Sequence, residues 1–111
     1  QNAVDGFNFN CGLANFQTLD NIASAAELPC WHGSEIDLGI MEAMYMHSCA
    51  ASNSCEWPSD IFGRLIREHD LLKNPIKIEP PYAFLPEGEG LGIEPDMDAI
   101  NNYLINKFEV L

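Results

Sequence analysis

Three carboxylates stand where catalytic acids would be sought. Glu35 and Asp37 follow directly on LPCWHGS, and Asp60 follows Trp57-Pro58-Ser59. Both places read as the ends of short strands. In parallel βα architectures, catalytic and binding groups gather at the C-terminal strand ends. The chemistry on offer is proton transfer or orientation of a polar substrate. The same acids also fit helix capping, since Asp37 precedes LGIMEAM and Asp60 precedes IFGRLI. Residue chemistry alone favours that structural reading.

The other reactive residues point less clearly. Cys30-x-His32 and His47-x-Cys49 supply two sulfurs and two nitrogens, but their spacing is not that of a zinc finger or knuckle. Cys11, Cys30, Cys49 and Cys55 allow three disulfide pairings. Each sits in an apolar or tightly turned context, and the chain is poor in cysteine for a secreted scaffold, so reduced thiols are expected. Ser34 lies close after His32, yet no G-x-S-x-G elbow surrounds it. The GEGLG run at 88–92 is flanked by acids and lacks a preceding strand, so it reads as a turn rather than a phosphate loop.

Charge narrows the function. Five basic residues face seventeen acidic ones, for a net charge of −12. Nucleic acid and anionic lipid both need clustered Lys and Arg, so neither is an expected partner. The first basic residue is Arg64, and residues 1–63 carry eight acids. No lysine base or arginine clamp can come from that part. Apolar residues make up 47% of the 111, enough for one folded unit. No apolar run reaches the ~18 residues of a membrane span. A cytoplasmic location is expected.

The elements that must position these residues alternate. FNFNC at 7–11 reads as a strand, and 15–27 as a helix with Leu19, Ile22, Ala23 and Ala26 on one face and Asn15 as its cap. Residues 28–34 read as a second strand. Residues 38–51 read as a helix with an apolar stripe of Leu38, Met41, Met44, Tyr45 and Cys49. After a break at 52–58, DIFGRLIREHDLL predicts a short helical stretch. Residues 75–86 are extended, 87–96 are turn-rich, and 96–107 predict a terminal helix capped by Asp96. Two or three parallel strands cannot cover both of their faces. Together with the opening Gln1, this raises the expectation that more protein lies upstream.

Several runs resemble one family. AVDGFNFN and NFQTLDNIASAAELPCWHGSEIDLGI are similar to the sixth and seventh βα units of the enolase superfamily, in its mandelate racemase and muconate lactonizing group. CEWPSDIFGRLI resembles that group's eighth-strand motif of Trp, two residues, an acid, then hydrophobic-Phe-Gly. NPIKIEPPYAFLPEGEGLGIEPDMDAI is similar to its closing stretch. The resemblance implies an α/β fold. It would comprise the last three βα units of a TIM-type (β/α)8 barrel, at 1–74. The segment 75–111 would form a C-terminal extended stretch and helix returning to a capping domain.

The resemblance also implies a reaction, abstraction of a proton α to a carboxylate, with Mg²⁺ stabilising the enediolate. The outcome would be an isomerisation or an elimination on a small carboxylate substrate. The metal ligands are expected upstream of Gln1, so this chain should hold none and should be inactive alone. The full-length protein is expected to be a homo-oligomer. Asp60 matches the acid that hydrogen-bonds the substrate carboxylate or enediolate. Asn10 stands where the muconate branch has a catalytic lysine and the mandelate branch an aspartate. It can be neither acid nor base, which favours a one-base reaction. Gly33 stands at the catalytic histidine position of the mandelate branch, and the neighbouring His32 replaces it only if the strand register shifts. Ser34, Glu35 and Asp37 match the polar residues after the seventh strand, where specificity is set. Two other readings stand beside this one. One is a small acidic binding module using Met41, Met44 and Met46 as an adaptable face. The other is a degenerate family member.

Overall fold

The computed structural model describes residues 3–107. Two short strands, β1 (Phe7–Phe9) and β2 (Cys30–His32), pair in parallel with Phe7 opposite Cys30, Asn8 opposite Trp31 and Phe9 opposite His32. Helix α1 (Leu13–Ala25) connects them. Helix α2 (Gly39–Ala51) leads from β2 to a third, parallel contact, a single bridge between Cys30 and Cys55. The alternating strand and helix order expected from the sequence is therefore present, with the third strand reduced to one bridge.

Side chains alternate across a strand, and the two faces differ sharply. Phe9 and His32 point to the helices. The His32 ring stacks between Phe16 of α1 and Tyr45 of α2, with centroids 4.6 and 4.2 Å away. Asn8 and Trp31 point to the other face, where Trp31 meets Trp57 at 5.5 Å.

The helices depart from the predicted stripes. On α1 the buried residues are Phe16, Asp20 and Ala23, while Ile22 is 60% exposed. Asn15 lies inside the helix, whose N-cap is Gly12 without a side-chain bond. The reason is Asp20. Its carboxylate turns inward to accept hydrogen bonds from the Ser54 and Asn53 amides (3.0 and 3.1 Å) and from the Ser52 and Ser54 hydroxyls. A charge so well hydrogen-bonded can be buried, and it fixes the loop before Cys55. On α2, Tyr45 and Met46 are buried, but Met41 is exposed.

The stretch after Asp60 forms only a 3-10 turn at Gly63–Leu65, not the expected helix. Its backbone is pinned: the Gly63 N–H donates to Glu42, and a Cβ on Gly63 would lie 2.3 Å from the Asp37 carbonyl. Beyond it, β3 (Ile78–Glu79) and β4 (Tyr82–Ala83) form an antiparallel hairpin through a cis Pro80–Pro81 bond. Ile78 packs with Leu91 and Ile93 against a core of Ala43, Met46, Leu72 and Ile76. Gly88, Gly90 and Gly92 all have positive φ, so GEGLG is a turn. Helix α3 (Met97–Tyr103) is capped by Asp96, which accepts from the Asp98 and Ala99 amides at 3.0 Å. It stops at Tyr103, short of the expected 107. Among the described residues, no helix is long and apolar enough to cross a membrane.

Candidate active site

The C-terminal ends of the parallel strands converge at one edge. Asn10 lies one residue past β1 and is exposed. By strand alternation it falls on the Asn8 and Trp31 side, the side away from the helices. Gly33 lies one residue past β2, and its N–H donates to the Phe9 carbonyl at 2.9 Å. It has no room for a side chain, since a Cβ would meet the Asn8 amide oxygen at 2.4 Å. Asp60 closes the set from the segment five residues past the Cys55 bridge. Its Oδ1 accepts the Ser34 N–H at 3.1 Å.

The loop after β2 is tightly held. The Glu35 N–H donates to Asp37 Oδ2 at 3.0 Å, and the Ile36 N–H donates to the Ser34 hydroxyl at 3.0 Å. Ile36 sits at φ 61°, a left-handed conformation that is strained for a β-branched residue. The Tyr45 hydroxyl rises from α2 to donate to Asp37 Oδ2 at 3.0 Å. Burial first, then the bonded Asp37 carboxylate, pushes the Tyr45 phenol up to about 12. It therefore stays a donor at any physiological pH.

The capping expectation is corrected for both acids. The residue before α2 is Leu38, with no side-chain cap bond, and no α-helix follows Asp60. Their carboxylates serve the loop and strand ends instead. Glu35 is exposed beside them.

His32 is not brought to this edge. Phe9 still pairs with His32, so the register shift that would deliver it does not occur. Its ring is fully buried in the helix layer, and its nitrogens lie 2.6 Å from the Gly33 carbonyl and 3.1 Å from that of Cys11. Two residues of this region were not singled out from the sequence. Asn8 borders Gly33, and Tyr45 was counted as apolar stripe although its hydroxyl anchors Asp37. Only the eight-residue reach from Asp37 to Tyr45 along the start of a helix hinted at that bond.

Metal binding has no foundation in these residues. Among those described, no group of three or more His, Cys, Asp or Glu is placed to hold an ion. The four residues considered for zinc do not converge: His32 bonds backbone carbonyls, and His47 Nε2 lies 3.0 Å from the Leu91 carbonyl. The four cysteines are free.

The family model described as enolase C-terminal domain-like matches residues 3–99. Muconate cycloisomerase 1 of Rhodococcus opacus is 34% identical over 95 residues, covering 86% of this chain and 26% of its own length. A chloromuconate cycloisomerase of Cupriavidus necator is 28% identical over 105 residues, covering 91% and 28%. Among solved structures, muconate cycloisomerase from Pseudomonas fluorescens superposes with a TM-score of 0.82 over 90% of this chain and 29% of its own, at 22% identity. Muconate lactonizing enzyme from Klebsiella pneumoniae gives 0.75 over 90% and 30%, also at 22%. The chain thus spans between a quarter and a third of the length of these relatives. It belongs to the enolase superfamily, in the mandelate racemase and muconate lactonizing group, and matches that group's C-terminal domain over residues 3–99.

Proposed function

We propose that residues 1–111 are the C-terminal share of a Mg²⁺-dependent isomerase or lyase that removes a proton α to a carboxylate. The observation that carries this reading is Asp60, held beside the end of β2 with Oδ1 on the Ser34 amide. Oδ2 is then left to face a substrate oxygen. Ser34 and Glu35 would line the specificity loop, and Asp37 would position it through Tyr45. Gly33 stands where the mandelate branch has a histidine, and the Asn8 amide beside it leaves no room for a side chain.

Electrostatics supports a shared site. Glu35, Asp37 and Asp60 are all acids, and the first 63 residues contain no Lys or Arg. A carboxylate substrate would be repelled unless positive charge came from elsewhere in the protein. The Mg²⁺ that the family implies does not fit the residues present here. Its ligands would lie outside 1–111, and the roles given to this chain's residues are independent of it. Residues 1–74 would complete the barrel and 75–111 would run toward the capping domain, in a cytoplasmic homo-oligomer.

Asn10 favours a one-base course, either syn elimination or cycloisomerisation, over racemisation. It equally suits a member that has lost activity, and one experiment separates the two. The complete reading frame around this segment is expressed and given muconate and Mg²⁺, and loss of the substrate's ultraviolet absorbance is followed. A parallel panel of small carboxylic acids in D₂O is scored for α-proton exchange. Turnover or exchange that vanishes with Asp60→Ala supports the proposal. A reading frame without three spaced carboxylates, or one inert across the panel, overturns it.

A further inference from the structure

Cys49 and Cys55 are six residues apart in sequence and converge on one hydroxyl. Ser59 Oγ lies 3.4 Å from the Cys49 sulfur and 4.0 Å from that of Cys55. Cys49 sits in the last turn of α2, and Cys55 sits on the bridge to Cys30. The segment between them is rigid. Asp20 gathers the Ser52, Asn53 and Ser54 donors, and the Cys55 N–H donates to the Ser52 hydroxyl at 2.8 Å. Cys49 also borders a cleft of about 450 Å³ whose walls include Met46, Ala50, Pro58, Ile61 and Leu85. The mostly apolar lining suits a small uncharged reagent.

The two thiols are not equivalent. The Cys55 S–H, then the Ser59 hydroxyl, stabilise the Cys49 thiolate against burial and bring it down to about 7. They do so although Cys49 lies at a helix C-terminus, which disfavours negative charge. Cys55 is pushed well above the usual thiol range by its Cys49 neighbour, then by burial. Burial likewise raises Cys11 and Cys30, and Cys30 is fully buried beside the Ser54 hydroxyl at 3.3 Å. One thiolate with one adjacent protonated thiol is the arrangement of an attacking and a resolving cysteine.

We propose that Cys49 and Cys55 form a redox-active dithiol, oxidised by small hydroperoxides that reach Cys49 through the apolar cleft. The Cys49 thiolate attacks the terminal peroxide oxygen, the O–O bond breaks, and the alkoxide leaves and takes a proton from water. Cys49 becomes a sulfenic acid. The Cys55 sulfur then displaces hydroxide from it, and the Cys55 proton leaves with that hydroxide as water. The peroxide gains two electrons and the two sulfurs lose two, ending as one disulfide.

The test uses the whole protein with equimolar tert-butyl hydroperoxide at pH 7, a maleimide quench, and peptide mapping without reductant. The expected product is a Cys49–Cys55 cross-link, with Cys11 and Cys30 recovered as maleimide adducts. At pH 7 about half of Cys49 is thiolate, whereas burial keeps Cys11 almost wholly protonated. The lower intrinsic nucleophilicity of the Cys49 thiolate offsets much of that gain, so Cys49 should react about fivefold faster than Cys11. Its rate should level off just above pH 7. Cys55→Ser should leave a dimedone-reactive sulfenic acid at Cys49, and Cys49→Ser should leave Cys55 unoxidised. Equal rates at Cys11 and Cys49, a dominant Cys30–Cys55 link, or only intermolecular disulfides would overturn the proposal. The wild-type map decides the matter even if either variant folds poorly.

Discussion

Asp60 accepts the Ser34 N–H at 3.1 Å across 26 residues of sequence, tying the loop after β2 to the segment that follows the Cys55 bridge. The bond is local in space and distant in sequence, so the two segments cannot separate without losing it. It also orients the carboxyl, because one oxygen is committed to the backbone and the other is not.

Asp60→Asn separates orientation from charge. The amide oxygen can still accept from Ser34, so the loop stays in place, but the acid is gone. In the complete protein kcat/KM should fall about 100-fold, the scale of one lost transition-state contact. The melting temperature should hold within about 2 °C. Asp60→Ala should match that kinetic loss and also destabilise by about 1 kcal/mol, as one hydrogen bond would. Steady-state kinetics and thermal melts on the same preparations decide. Unchanged kcat/KM in Asp60→Asn would remove Asp60 from the site.

Strain in the same loop gives a second expectation. Ile36 holds φ 61° while 38% exposed. Asparagine tolerates this region far better than a β-branched residue. Ile36→Asn should therefore stabilise by about 0.5 kcal/mol, since ~1 kcal/mol of relieved strain outweighs the half-buried apolar area lost. Urea unfolding measures it. A loss of stability would show that Ile36 packing outweighs the backbone term.

The alternation of strands and helices was legible because apolar spacing reports local geometry. The Asp96 cap and the GEGLG turn were legible for the same reason, both being set within a few residues. What misled was tertiary. Ile22 and Met41 looked like core by spacing alone, yet Asp20 and Glu42 occupy the inward positions through partners more than twenty residues away. Asp37 and Asp60 looked like helix caps because Ser34 lies 26 residues from Asp60 and the eight-residue spacing of Asp37 and Tyr45 is only a faint hint of their bond. Asn10, Ser34 and Asp60 were placed by resemblance, and the strand ends do bring them to one edge. His32 was not, because strand alternation turns it to the helices.

Gly63 shows why the run IFG ends in glycine. A Cβ there would lie 2.3 Å from the Asp37 carbonyl oxygen and 2.6 Å from Glu42 Oε1. The carbonyl is backbone and belongs to the loop after β2, the loop proposed to set specificity. Gly63→Ala should cost about 3 kcal/mol, at the upper end for overpacking. It should also lower activity, because relief of the clash moves residues 34–37. Denaturant unfolding with kinetics on the same sample checks both. A variant that lost stability but kept full kcat/KM would show that the loop is not coupled to this turn.

Two buried acids should give the stability of the protein opposite pH slopes. Burial would raise Asp20, but the Ser52 and Ser54 hydroxyls and the Asn53 and Ser54 amides outweigh it and hold the carboxyl below its usual range. The unfolded chain then binds more protons than the native one below about pH 4, so Asp20's contribution is present above that range and lost as pH falls. Glu42 is 1% exposed, and burial raises it, with the Asp70 charge adding to the rise and the Gly63 amide opposing it. Here the native state holds the proton longer, so stability declines as pH rises from about 4.3 through the folded value. Unfolding free energy measured from pH 3 to 8 should pass through a maximum between these windows. Asp20→Asn should flatten the acid side and destabilise at neutral pH by about 3 kcal/mol, because an amide cannot accept from all four donors. Glu42→Gln keeps an acceptor for Gly63 and should flatten the other side, gaining stability at pH 7. If Glu42→Gln is less stable at pH 7 and the slope persists, the ionised form of Glu42 is the one the fold prefers.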